Sequence, residues 1–264
     1  MGRLAVDEGE RGRPRARRGI YLAPFEELSD PMLLAELGER AEARGWEGVF
    51  LWDHISHRAP VRVISDPWVA LAAIAMRTRS VRLGPLVTPL SRRRVQKLAR
   101  ETVTLDRLSG GRLTLGVGLG ADDTGELEPW GEVSEPRERA RLLDERLQRL
   151  APLGGGEFVP RPVQRPRIPV WVAARWPSRR PVRRAARWDG LFPIELPGPQ
   201  ALEELARELD SERPAGAGRG ELVVDIAPGE DPEPWERAGA TWLLTGFGAQ
   251  PRRALVEEVI DAGP

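Results

Sequence analysis

The chain reads as an α/β protein, a parallel (β/α)8 (TIM) barrel, on three observations. Short apolar runs of strand length alternate with amphipathic stretches of helical period from Gly19 onward, in eight pairs. Alternation of that kind builds a parallel sheet, and eight units close it into a barrel. The 264 residues, 41% of them apolar, suit one barrel of about 250 residues. The third observation is the stretch Ser109–Gly120. A dinucleotide turn needs G-x-G-x-x-G behind a first strand, a helix at once, and an acid about 20 residues on. Here Gly116, Gly118 and Gly120 are spaced G-x-G-x-G, and strand-like runs with helices between them come earlier. The next segment, ADDTGELEPWGE, is acidic and contains Pro129, so no helix starts at once. The stretch is therefore an inner strand whose glycines let something flat approach the backbone.

The elements are expected in this order. Residues 1–17 read as a disordered tail, which leaves a single barrel domain over 18–264. Strands are expected at 19–25, 48–53, 81–88, 113–120, 168–174, 190–194, 221–227 and 241–247. Helices are expected at 31–45, 66–78, 93–108, 136–153, 179–187, 200–211, 231–238 and 252–261. Two of them open on the same signal, Asp30-Pro31 and Asp66-Pro67, an N-cap acid followed by proline in the first turn. Gly45 and the pair Gly110-Gly111 stop the first and third helices. The Gly/Pro-rich connector GGGEFVPRPVQRPR joins the fourth helix to the fifth strand.

Composition excludes several classes. Forty basic and forty acidic residues cancel, so no global field draws the chain to nucleic acid or anionic lipid. Lys97 is the only lysine, and the arginines are spread along the whole chain among the acids. No cysteine is present, which removes disulfides, thiolate metal sites and cysteine nucleophiles. No apolar run has the length of a membrane span. The twin Arg17-Arg18 precedes GIYLAPFEEL, too short and too acidic for a signal core, so the expected compartment is the cytoplasm.

Working groups of such barrels sit at the C-terminal ends of the strands. Those ends here are mostly apolar: Pro24 and Phe25, Asp53 and His54, Leu86 to Thr88, Gly118 to Asp122, Ala174 to Trp176, Ile194 and Glu195, Gly246 and Phe247. A mouth so poor in ionisable groups suits a bound ring system that brings its own reactivity. His54 directly follows a strand end, where a neutral imidazole can donate or accept at the mouth; local pairing with Asp53 is the alternative. Asp53, His54 and His57 lack a further ligand for a metal. His57 reads as surface, and most of the nine tryptophans as packing, with Trp176 kept as a ligand contact.

The ordered run FLWDH, DPWVALAAIA, VRLGPLVTPL, LDRLSGGRLTLGVGLG, RPVQRPRIPVWVAARWP and RRAARWDG closely resembles the luciferase-like monooxygenase family, and the likeness extends through the closing AGATW and AGP segments. The resemblance implies a (β/α)8 barrel that binds FMN, or in some branches the deazaflavin coenzyme F420, at its C-terminal mouth. It implies flavin-dependent oxygenation or hydride transfer on a small-molecule substrate, a homodimer, and reduced flavin delivered by a separate reductase. By position, His54 matches the family's mouth histidine beside the reactive part of the ring, with Asp53 next to it. Leu86, Val87 and Thr88 match the place where relatives keep a non-proline cis peptide as a bulge against the ring, an ordinary trans strand end being the alternative. Gly118 and Gly120 match the strand beside the cofactor, and Ala174, Arg175 and Trp176 a segment that cradles its phosphate. Gly246 completes the expected cofactor-binding set at the last strand end.

The departures are specific. Deazaflavin-dependent sugar-phosphate dehydrogenases of this superfamily place a proton-donating glutamate just after the G-x-G-x-G strand; Ala121 stands there, with Asp122 beside it. The phosphate segment has Arg175-Trp176 in place of paired glycines, and the insertion between the fourth helix and fifth strand is shortened. The leading reading is a monooxygenase using reduced FMN and O2, with F420-dependent hydride transfer as its rival. A degenerate barrel serving as a non-catalytic flavin-binding or regulatory protein is a second rival. A cofactor-free phosphate-handling barrel is disfavoured, because the mouth lacks a lysine and paired carboxylates.

Overall fold

The computed structural model describes residues 15–154 and 158–264. In chain order the elements are β1 (Arg17–Leu22), α1 (Pro31–Ala43), β2 (Gly48–Leu51), α2 (Pro67–Arg77), β3 (Arg82–Pro85), β4 (Thr88–Pro89), α3 (Val95–Leu108), β5 (Leu115–Gly118), α4 (Pro136–Leu150), β6 (Val170–Arg175), α5 (Arg180–Ala185), β7 (Gly190–Ile194), α6 (Pro199–Glu212), β8 (Glu221–Ile226), α7 (Glu233–Arg237), β9 (Trp242–Gly246) and α8 (Arg253–Ala262). The expected tail over 1–17 is cut short by β1, which starts at Arg17, with Ala16 already buried. Residues 1–14 of that tail, and 155–157 of the expected connector, lie outside the described residues.

All pairings between these strands are parallel, in the order β3-β2-β1-β9-β8-β7-β6-β5-β4. The ninth strand is not an extra unit. The third barrel strand, expected as one run over 81–88, is broken into β3 and β4 at the cis peptide Leu86–Val87. Its lower half pairs with β2 and its upper half with β5, and a bridge from Leu83 to Leu113 brings the lower half against the next strand as well. The break therefore sits inside a ring that is otherwise nearly closed.

Local sequence accounts for the helix starts. Asp30 accepts from the Met32 N–H and Asp66 from the Val69 N–H, each followed by proline, and Glu135 plays the same part before Pro136. The two aspartate caps are worth about 1 kcal/mol each. Gly45 takes φ +89° just past α1, in the left-handed region that glycine enters without penalty.

Alternation along the strands sorts side chains into two cores. Outward positions such as Ile20, Leu22, Val49 and Leu51 pack with the helices. Inward positions form a separate interior cluster of Tyr21, Phe50, Leu86, Trp171, Phe192, Val223, Trp242 and Leu244. At its base Phe50, Trp171 and Trp242 pack ring against ring at 5.0–5.8 Å, within the range of favourable aromatic contacts.

The glycines of G-x-G-x-G serve the broken strand. A Cβ on Gly116 would lie 2.5 Å from the Pro85 carbonyl oxygen and from Leu86; one on Gly118, 2.9 Å from Val87; one on Gly120, 2.8 Å from Pro89. The three positions thus track the Pro85–Pro89 bulge residue by residue. The flat object they admit is first of all a neighbouring backbone. Gly116→Ala is expected to lower stability by about 1–3 kcal/mol, the usual cost of overpacking, read from the urea midpoint. A wild-type midpoint would show that the two strands can spread at no cost.

Candidate functional site

Inward side chains change in size from the base of the barrel to its C-terminal mouth. Aromatic rings fill the base and middle, whereas the last inward positions include Gly118, Ala173 and Gly246. Beside the larger Trp52, Val87 and Ile194 at the same end, Ala173 and Gly246 are only half-buried, so the strand ends form an open mouth. Its floor is Tyr21, whose hydroxyl donates to the Leu86 carbonyl of the bulge. Burial, and then the charge of Asp225, pushes the Tyr21 pKa well up, so the hydroxyl keeps its proton. Val87 stands half-buried at the edge, and Trp52 rises beside it, 5.7 Å from the Tyr21 ring.

His54 leaves β2 just past Trp52 and stacks among aromatic rings, 5.7 Å from Trp52 and 6.0 Å from Phe25. Its Nδ1 lies 3.1 Å from Oε1 of Glu126, a carboxylate buried almost completely. That approach turns Nδ1 away from the mouth and leaves Nε2 as the nitrogen that can meet a ligand. Glu126 also accepts from the Ile55 N–H at 2.6 Å and lies 3.1 Å from Nη1 of Arg92. Burial works to raise its pKa, but His54, Arg92 and the Ile55 N–H outweigh it, and the net displacement is downward. Glu126 is therefore an anion that can hold and orient the imidazole.

The loop that delivers Glu126 is folded by its own residues. Asp122 accepts from the Leu127 and Glu128 N–H groups, capping a 3-10 turn over Glu128–Trp130. Gly125 takes φ +73°, Leu127 is fully buried, and Ser56 donates to the Thr124 carbonyl at 2.6 Å. Asp122 is thus committed to the turn, and Ala121 carries no polar group.

Asp53 lies behind this layer. Its oxygens accept from Thr88 (2.7 Å), Trp68 (3.2 Å), Arg92 (2.6 Å) and Arg93 (2.9 Å). Burial acts to raise its pKa, and the two guanidiniums, helped by Thr88 and Trp68, bring it below its ordinary value. Arg92 links the two carboxylates, so Asp53, Arg92 and Glu126 form one buried ionic chain that ends at His54.

The expected site residues divide by where their side chains point. His54, Val87, Gly118, Arg175 and Gly246 reach the mouth. Asp53 and Thr88 do not; they are buried and satisfied by each other. Leu86 belongs to the barrel interior and Gly120 packs on Pro89. Ala174 and Trp176 face the helical layer, and the Arg179 guanidinium sits 4.6 Å over the Trp176 ring. The tryptophan beside Tyr21 at the mouth is Trp52. Arg175 faces inward and pairs with Glu195, both more than half exposed. His57, expected at the surface, is half-buried with its ring 5.4 Å from Phe25 and from His54. Burial, then proximity to His54, lowers its pKa and keeps it neutral. Glu126, Arg92 and Asp225 join the mouth without having been expected there from sequence.

The luciferase-like monooxygenase profile matches residues 20–229. The chain belongs to that family. It is 39% identical over 108 residues to the 4-hydroxyprotoasukamycin monooxygenase of Streptomyces nodosus subsp. asukaensis, covering 39% of this chain and 29% of that one. It is 28% identical over 173 residues to the oxygenase component of the flavin-dependent trigonelline monooxygenase of Acinetobacter baylyi, covering 58% of this chain and 45% of that one. The chain thus spans less than half the length of these two relatives. A solved F420-dependent secondary alcohol dehydrogenase, in complex with an F420-acetone adduct, shares the fold with a TM-score of 0.73 at 18% identity, over 94% of this chain and 96% of that one.

The buried ionic chain sets two expectations. Asp53→Ala strands two guanidiniums and should cost about 3–5 kcal/mol, seen as a lower denaturation midpoint. Asp53 and Glu126 both have folded pKa values below their ordinary 3.8 and 4.5. The unfolded chain then binds more protons, so the stability they add is complete above that range and drains away as pH falls below about 4. Glu126→Gln should flatten the acid limb of midpoint against pH; an unchanged limb would mean that Glu126 is not ionised in the folded protein.

Proposed function

We propose that the protein is a flavin-dependent oxidoreductase of the monooxygenase type, using reduced FMN and O2 on a small organic substrate. The observation that carries this reading is the open mouth above an aromatic floor, bordered by the Leu86–Val87 bulge and by an imidazole oriented through a buried carboxylate. The donor set fits the group. Val87, Gly118 and Ala173 offer a flat apolar bed, and Trp52 an aromatic wall. Arg175 suits the phosphate, because an exposed pair such as Arg175–Glu195 is worth about 1 kcal/mol or less and exchanges readily for a ligand anion.

When bound, reduced flavin supplies two electrons and, with O2, the oxygen atom transferred to substrate. The chain's own residues do the rest. His54 holds or moves a proton at Nε2, Glu126 fixes the ring, and the Phe25–Trp52–His57 layer keeps bulk water from that side. Reduced flavin comes from a separate reductase; the Acinetobacter relative is itself named as an oxygenase component. One observation favours F420-dependent hydride transfer as a second reading: the loop after the G-x-G-x-G strand does bring a carboxylate, Glu126, to the mouth histidine.

The protein is further proposed to be cytoplasmic and a homodimer. No helix of the described residues is long and apolar enough to cross a membrane. On α2 the exposed Val69 and Met76 lie seven residues apart and so on one face, and Met32 at the start of α1 is exposed as well. A second copy would cover that apolar face.

Titration of the purified chain with FMN and with F420, oxidised and reduced, followed by fluorescence quenching, should show tight binding of FMN. Binding of F420 alone would select hydride transfer, and no binding of either would leave a non-catalytic barrel. His54→Ala should cut turnover about 10²–10⁴-fold while cofactor affinity stays near wild type; unchanged turnover would reduce His54 to a strand-end residue. Met76→Glu should shift the sedimenting species from dimer to monomer.

A further inference from the structure

The mouth imidazole has one hydrogen-bond polarity, imposed from its buried side. Nδ1 of His54 is sealed from solvent and lies 3.1 Å from Oε1 of Glu126. The other groups around that carboxylate are donors: the Ile55 N–H at 2.6 Å, the Ser56 N–H at 3.4 Å, and Nη1 of Arg92, 3.1 Å from Oε2. A bare lone pair on Nδ1 would face a carboxylate charge at close range, with no bulk water to screen it; a hydrogen there is attracted instead. Nδ1 therefore carries the hydrogen. Two buried carboxylates, Asp53 and Glu126, already meet two guanidiniums, Arg92 and Arg93, so the ionic chain is balanced without a charge on the ring. Nε2 is then left with its lone pair. No group holds that nitrogen among the described residues, and with Nδ1 sealed and the side chain 30% exposed, it is the end that reaches the mouth.

An acceptor in that place selects what it meets. A ligand carbonyl or ether brings Nε2 no hydrogen. A ligand carboxylate or phosphate meets the Glu126 anion close behind the ring, while Arg92 and Arg93 are spent on Asp53 and Glu126. A neutral O–H or N–H is what remains. The flank of the imidazole is aromatic, with Trp52 at 5.7 Å, Phe25 at 6.0 Å and His57 at 5.4 Å, and Trp52 is only half-buried. Such a flank suits a flat ring more than a chain. Among neutral donors carried by an aromatic ring, a phenol O–H is more acidic than an aniline or indole N–H, and so gives the stronger bond to a basic lone pair.

We infer that the substrate is of the phenol class, its hydroxyl donating to Nε2 of His54, and that Glu126 is the positioning residue that keeps the hydrogen on Nδ1 and Nε2 free to accept. That the phenol is a substrate rests on the flavin reading; the polarity of the ring does not.

The full chain is labelled with nitrogen-15 in its imidazoles, and the ring tautomers are read by NMR at about pH 9, where an ordinary imidazole is neutral. His54 and His57 are the only histidines, and His54→Ala assigns the signals. The expected result is Nδ1–H on His54 in the wild type. Glu126→Gln should move it towards Nε2–H, because the amide can turn its oxygen to Arg92 and its N–H to His54. A wild-type Nε2 that carries hydrogen, in a neutral ring or an imidazolium, overturns the proposal. Phenol, anisole and cyclohexanol are then titrated with and without FMN. Phenol should move the Nε2 resonance and bind about tenfold more tightly than anisole, which lacks the donor, or cyclohexanol, which lacks the flat ring. In Glu126→Gln, checked by circular dichroism, the preference over anisole should vanish; if that variant does not fold, the wild-type tautomer and the three probes still decide. Anisole or cyclohexanol bound as well as phenol overturns the proposal. So does an Nε2 resonance moved by FMN and not by phenol, which would give the donor to the cofactor. Fluorescence quenching of FMN in the same samples keeps the two readings apart. FMN bound without a preference for phenol removes the proposal alone; phenol preferred without FMN binding removes the flavin reading, and with it the phenol's standing as substrate.

Discussion

The mouth of this barrel depends on one buried carboxylate. Asp53 is sealed from water and takes hydrogen bonds from α2 (Trp68), from β4 (Thr88) and from the turn just after β4 (Arg92 and Arg93). Leaving a lone charge in that environment would cost several kcal/mol. All four donors must therefore arrive together, and the elements carrying them are fixed relative to the end of β2. His54 is the next residue in the chain. Its position is set by how its neighbour is held, before any ligand is considered. Arg92 then extends the same constraint to Glu126, whose Oε1 lies 3.1 Å from the imidazole Nδ1, so that His54 has an anion on its buried side.

The mouth itself takes its shape from strand geometry. Leu83 packs with the helices, so alternation along the strand turns Leu86 into the interior, and beyond the break that follows Val87 is half-buried at the mouth. The neighbouring strand can stay alongside only because Gly116, Gly118 and Gly120 carry no Cβ where the bulge passes. The glycine motif and the bulge are two halves of one packing solution.

Much of this is legible in the sequence, and the parts that are not have a common cause. Periodicity places all eight strand–helix pairs, since each pair must present one apolar face to the other layer. His54 stands out because it directly follows a strand. Errors arise where parity within a strand decides the face. Asp53 and Thr88 sit one residue from inward positions and so turn away; Ala174 and Trp176 turn outward on either side of Arg175. Asp225 is hidden in an apolar run, although alternation from the interior Val223 places it inward. Glu126 has no pattern to reveal it. It lies in a loop without periodicity, and its position depends on the turn capped by Asp122 and on Ser56 reaching Thr124, contacts that exist only after folding.

The arginine-for-lysine usage gains a physical meaning from the same region. Arg146 reaches from α4 to the carbonyls of Leu90, Ser91 and Arg93, tying down the turn that presents Arg92 and Arg93 to Asp53. Arg112 donates to the carbonyls of Ala75, Thr78, Val81 and Ser109, closing the end of α2 against the strand after it. Arg139 reaches the carbonyl of Gly120, at the start of the loop that carries Glu126. Arg112 spreads its bonds over Nε, Nη1 and Nη2, a planar fork that a single ammonium on a flexible stem does not match, whereas Arg146 and Arg139 reach their carbonyls through Nη1. The buried anions of the mouth need rigid cations, and those cations need a turn that cannot move, so arginine recurs at each step outward from Asp53.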